Sequence, residues 1–84
     1  MRFTASGHFL REARKLKEPQ ASMLRATLRR FAADPLDPLL RTHKLKGDLD
    51  PCWALSVDYD LRVLYRSVGD EVFLVNLGSH DEVY

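Results

Sequence analysis

Cysteine is almost missing from this chain. A single Cys52 in 84 residues excludes an internal disulfide, and a reducing cytoplasm is the expected compartment. Long apolar runs are missing too. None approaches the ~20 residues of a membrane span, so no membrane association is expected, and no secretory signal is legible at the N-terminus. The glycines Gly7, Gly47, Gly69 and Gly78 are dispersed, which excludes a glycine-rich loop that cradles phosphate. His8, His43 and His80 are equally scattered, and none has ligand spacing with another His or with Cys52. No metal and no cofactor is therefore expected. There is no internal repeat and no low-complexity segment. What remains is 45% apolar and 30% charged, the balance of an ordinary globular protein. At this length it forms one domain, residues 1–84, with an expected stability of about 4–13 kcal/mol.

The net charge of +1 conceals an asymmetry. Residues 1–47 carry eleven Lys and Arg against four Asp and Glu, a balance of +7; residues 48–84 carry two against eight, a balance of −6. A basic half of this density fits a polyanionic partner, or a solvated helix face.

The hydrophobic period divides the chain into two kinds of structure. "MRFTAS" alternates Met1, Phe3 and Ala5 with polar residues and predicts a short strand. Ser6 then suits the N-cap of a helix with Phe9, Leu10, Ala13 and Leu16 on one face. Pro19 interrupts it and opens a second helix, with Ala21, Leu24, Leu28, Phe31 and Ala32 as its apolar stripe and Arg25, Arg29 and Arg30 opposite. "ADPLDPLL" ends that helix, since each Pro disfavours helix at the residue before it. From there the period is two. "CWALSVD", "LRVLYRS" and "EVFLVNLG" predict three antiparallel strands, with Trp53, Leu55 and Val57 on one face of the first and a hairpin turn at Gly69-Asp70. The order β-α-α-β-β-β predicts an α+β fold, an antiparallel sheet packed against an N-terminal helical hairpin, with the first strand added at an edge.

Ser79, His80 and Asp81 place the residue types of a hydrolase triad side by side. In an extended segment, neighbours point to opposite faces, so the three cannot converge. Nothing near Cys52 favours a thiolate. A different set gathers at element ends: His43 before the second strand, Asp60 and Arg62 opening the third, His80 and Tyr84 after the fourth. Counting back from Gly69-Asp70 pairs Arg62 near Leu77, which brings Asp60, Arg62 and His80 to one end of the sheet. Metal-free RNA cleavage needs a base for the 2′-OH, a cation for the phosphate and an acid for the leaving oxygen. This set contains all three, and Tyr84 could stack on a base. A histidine at a strand end is usually a solvated loop residue and Tyr84 a terminal plug, and on spacing alone that reading is favoured over the catalytic one.

The stretch "HKLKGDLDPCWALSVDYDLRVLYRSVGDEVFLVNLGSHDEVY", His43 to Tyr84, resembles the C-terminal half of the RelE/ParE toxin superfamily, and most closely its YafQ-like branch. The resemblance is carried by the His-x-Leu-x-Gly opening, the "DLRVLY" strand, the acidic hairpin turn, and "GSH" followed four residues on by an aromatic. It implies a RelE-like fold and the toxin of a type II toxin–antitoxin pair, a ribosome-dependent mRNA endoribonuclease that needs no metal. Its implied partners are a cognate antitoxin, in a toxin–antitoxin hetero-oligomer, and the ribosome with its mRNA. By position, His43, Asp60 and His80 match the branch's catalytic residues. His80 takes the general-acid role and His43 or Asp60 the base, and the roles could be exchanged. Arg62, Tyr84, Lys44 and Lys46 are assigned to the substrate and its phosphates. Ser56 stands where the branch carries another histidine, and Leu61 replaces an aromatic. The alternatives are a ParE-like inhibitor that binds DNA gyrase without catalysis, and a degenerate toxin that only occupies an antitoxin.

Overall fold

The computed structural model describes residues 1–45 and 52–83, with only the backbone of Asp81 and Glu82. In chain order the elements are β1 (Arg2–Ala5), α1 (Gly7–Lys15), α2 (Gln20–Ala33), a 3-10 turn (Pro38–Leu40), β2 (His43–Lys44), β3 (Trp53–Ser56), β4 (Leu61–Val68), β5 (Glu71–Ser79) and α3 (His80–Val83). The five strands form one sheet in the order β1-β5-β4-β3-β2. The α+β plan is the expected one, and β1 sits at an edge, parallel to β5. Three elements are additional, the 3-10 turn among them. His43 lies inside a two-residue strand, paired with Ala54 of β3, instead of in the loop before it. His80 opens a single helical turn where an extended end was expected.

The helices form where capping and period coincide. Ser6 accepts the Phe9 N–H at 3.0 Å and donates its hydroxyl proton to the Val75 carbonyl at 2.8 Å, so one side chain caps α1 and ties it to β5. At α2 the N-cap is Pro19, which has no side-chain bond to give, and Glu18 just before it holds the first turn. The Glu18 carboxylate accepts from the Ser22 N–H at 3.0 Å and the Ser22 hydroxyl at 2.6 Å. Those bonds and the Arg25 guanidinium hold the Glu18 carboxyl below its ordinary value. Phe9, Leu24 and Phe31 reach the core, with Ala13, Leu16 and Leu28 packed beside them. Leu10, one residue off the Phe9–Ala13–Leu16 line, is 42% exposed, as the 100° step per residue requires. Replacing Ser6 by Ala should cost about 1–2 kcal/mol, because a cap of this kind typically contributes that much. A urea titration that moved by much less would mean the tie to β5 adds nothing.

The core lies between the helices and one face of the sheet, where Leu55, Leu61, Val63, Tyr65, Val72, Leu74 and Leu77 are all buried. A β-bulge makes this set possible. Val68 pairs with Glu71 around the Gly69-Asp70 turn, with Gly69 at φ +59°, the left-handed conformation that glycine adopts without steric cost. The register then shifts: Tyr65 pairs with Leu74 but Leu64 with Asn76, leaving Val75 as the extra residue. Because side chains alternate, an unbroken strand would turn Asn76 inward. The bulge instead puts Leu77 in the core and moves the partner of Arg62 from Leu77 to Gly78.

Candidate active site

Arg62 and Ser56 are direct cross-strand partners, so they share the sheet face opposite Leu55, Leu61 and Val63. At this end β3 turns into β4 through residues 57–60, and β5 ends at Ser79, opposite Leu61. Asp58 organises the turn. One carboxylate oxygen accepts the N–H of Asp60 at 2.8 Å and of Leu61 at 2.6 Å, and the other accepts from the Gln20 amide of α2 at 3.2 Å. Arg62 braces the same turn by donating to the Asp58 carbonyl at 2.7 Å, the Leu61 carbonyl at 3.3 Å and the Tyr59 carbonyl at 2.8 Å.

Partial burial pushes the Asp58 carboxyl upward. The N–H bonds of Leu61 and Asp60, the Gln20 amide and the Arg62 charge outweigh it, and the net displacement is downward. A depressed folded-state value means stability that is present above the unfolded pKa, ~3.9, and lost as pH falls through the lower folded value. Asp58→Asn keeps an acceptor oxygen but removes the titration. Its stability deficit relative to the parent should therefore shrink between about pH 5 and pH 2. Urea melts of both chains across that range measure it, and a constant deficit would contradict the assignment.

The predicted residues fall into three groups. Asp60, Arg62 and His80 come together at one sheet end. The His80 N–H donates to an Asp60 carboxylate oxygen at 3.4 Å, a long bond across twenty residues of sequence, and both residues are exposed. His43 stands apart. The register runs His43–Ala54–Leu64, which sets it two strands across and three residues along from Leu61, roughly 14 Å by strand spacing and rise. Its Nδ1 lies 3.3 Å from the Arg41 carbonyl. Lys44 is exposed beside it. Lys46 and Tyr84 lie outside the described residues, as does the Asp81 side chain. The opposition of His80 to Ser79 and Asp81, drawn from an extended chain end, does not carry over to a helical turn. Among the described residues, no three His, Cys, Asp or Glu side chains converge as a metal site.

Sequence reasoning missed the structural work of Arg62 and the Asp58 turn. Backbone carbonyl partners leave no mark in a sequence. The Asp58-x-Asp60 spacing was the available signal, since Asp characteristically accepts the N–H two residues on. The basic face of α2 is also less free than its composition implies. Arg25 is paired with Glu18 at 3.3 Å and Arg30 with Asp37 at 3.8 Å, which leaves Arg29 as the member with no ion pair among the described residues.

The family model for the YafQ toxin, described as a bacterial toxin of type II toxin–antitoxin systems, matches residues 1–84. The chain belongs to this family. Among solved structures it is similar to a metal-bound toxin from Helicobacter pylori, with 25% identity and a TM-score of 0.74 over 100% of this chain and 99% of that one. It is also similar to a chain of the E. coli DinJ–YafQ complex, with 19% identity and a TM-score of 0.70 over 100% and 99% of the two chains. A chain of the archaeal RelE–RelB complex from Pyrococcus horikoshii matches with 15% identity and a TM-score of 0.75 over 93% and 92%. The last two likenesses establish the RelE-like fold. No curated protein sequence matches the chain. No helix among the described residues is long and apolar enough to cross a membrane.

Proposed function

We propose that this YafQ-family toxin is an endoribonuclease that cleaves mRNA on the ribosome by acid–base chemistry. The observation that carries the proposal is the meeting of Asp60, Arg62 and His80 at one sheet end, joined by the His80 N–H bond to the Asp60 carboxylate. Asp60 takes the proton of the 2′-OH, whose oxygen attacks the adjacent phosphorus. His80 gives a proton to the departing 5′ oxygen. Arg62 has five N–H donors, of which three serve the turn. The remaining donors stabilise the charge that grows on the phosphate oxygens. His43 pairs through Ala54 with Leu64, on the sheet face that carries Arg62, and is the alternative base.

The partner in the cell is a cognate antitoxin, as the toxin chains of the DinJ–YafQ and RelE–RelB complexes have. Arg29 and the basic surface of α1 suit an acidic segment of that partner. Induced expression tests the function. Mapped mRNA ends should fall within coding sequence at ribosomal A sites, and coexpressed antitoxin should suppress them. DNA breaks linked to gyrase, without mRNA breaks, would sink this reading in favour of a ParE-like inhibitor. Growth unaffected by a folded, antitoxin-free chain would favour a degenerate toxin.

A further inference from the structure

Tyr59 is the most exposed aromatic among the described residues, at 93%, yet the turn that presents it is firmly held. Its carbonyl accepts from Arg62, and the flanking Asp58 carboxylate fixes the N–H groups of Asp60 and Leu61. An exposed ring on a braced turn loses little freedom on binding, which is the economical way to build a contact. Tyr59 also lines a groove of about 270 Å³ with Arg41, Ser56, Asp58 and Arg62. Arg41 stands at φ +51°, an uncommon conformation for a residue with a side chain, and closes the 3-10 turn through its N–H bond to Pro38. Two arginines thus line the groove against one carboxylate, Asp58, which also accepts from Gln20, Asp60 and Leu61. The groove has the chemistry of a nucleotide site: a ring with an open face, and cations for a phosphate. An acidic peptide would use the arginines but has no need of the ring.

We propose that the Tyr59–Arg41 groove is a second nucleotide subsite, stacking a base next to the scissile step and gripping its phosphate. This rests on the cleavage reading above, and Arg62, shared by groove and acid–base pair, gives the two continuity. Tyr59 and Arg41 act in binding and selection, not in proton transfer. Their loss should therefore raise KM and leave kcat unchanged.

The test uses the full chain on purified ribosomes programmed with a defined mRNA, scored for initial cleavage rates, with antitoxin affinity measured in parallel. Tyr59→Ala should raise KM roughly 5- to 150-fold, the range that losing one base–aromatic stack produces. Arg41→Gln should raise it in the same direction and steepen less with salt than the parent. Tyr59→Phe keeps the ring and should return KM to within about twofold of the parent. An unchanged KM for Tyr59→Ala, on ribosomes where His80→Ala abolishes cleavage, overturns the subsite and leaves the cleavage reading standing. Weakened antitoxin binding with unchanged KM assigns the groove to the protein partner and equally overturns it. A parent chain that cuts no ribosome-bound mRNA overturns both readings together.

Discussion

Cells induced for the His80→Ala chain are expected to keep growing with intact mRNA, while the parent chain arrests them. Losing a positioned proton donor costs about 10²–10⁴ in rate. The loss should be confined to chemistry. The bond between residue 80 and Asp60 is donated by the backbone N–H, so alanine at that position retains it. Exposed positions of this kind change stability by about 0.5 kcal/mol or less. The thermal midpoint and antitoxin affinity should therefore match the parent within error. Ser79→Ala and Asp81→Ala should still cleave, since the proposed mechanism draws its proton from neither. A His80→Ala chain as toxic as the parent would remove the nuclease assignment.

How much of this was legible beforehand depended on whether a residue acts through its neighbours in sequence or through distant backbone. Ser6 and Gly69-Asp70 act locally, and both did what their types predict. The helical stripes were legible because Phe9, Ala13 and Leu16 in the first helix, and Leu24, Leu28 and Phe31 in the second, recur at helical spacing among charged residues. The β5 bulge was not. Every residue of Val72–Val75 is apolar, so the pattern holds no alternation in which a slip could appear. Only Asn76, a polar residue where an unbroken strand would face the core, hinted at it. The single turn at His80 was hidden for a related reason: four residues are too few to display a period. Arg62 was assigned to phosphate by residue type alone. Its three bonds to carbonyls depend on the turn geometry, which the Asp58 side chain sets. The same turn explains why Tyr59 carried no signal, because exposure and rigidity are properties of a fold, not of a residue type. The placement of His43 likewise depended on β2, whose two residues form a strand only by pairing with β3.

Phe31→Ala should bring the free chain close to unfolding, and the antitoxin should rescue it. Phe31 is 2% exposed. Its ring lies 4.8 Å from Tyr65 of β4 and 5.9 Å from Phe3 of β1, tilted by 56° against each. It thus joins α2 to strands on both sides of β5. Truncating a buried Phe typically costs about 3–5 kcal/mol, from lost transfer energy and the cavity left behind. Tilted ring pairs add roughly 0.5–1.5 kcal/mol beyond burial. Against a total of about 4–13 kcal/mol, the variant should have a urea midpoint lower by roughly 1–3 M. A partner that binds only the folded chain adds about 4.1 kcal/mol at a thousand times its Kd, enough to offset most of that loss. Purified alone, Phe31→Ala should melt near ambient temperature; copurified with its antitoxin, it should melt within a few degrees of the free parent, and below the parent complex. A midpoint for the free variant within 0.3 M (~0.5 kcal/mol) of the parent would mean that α2 is not anchored on the sheet through this ring.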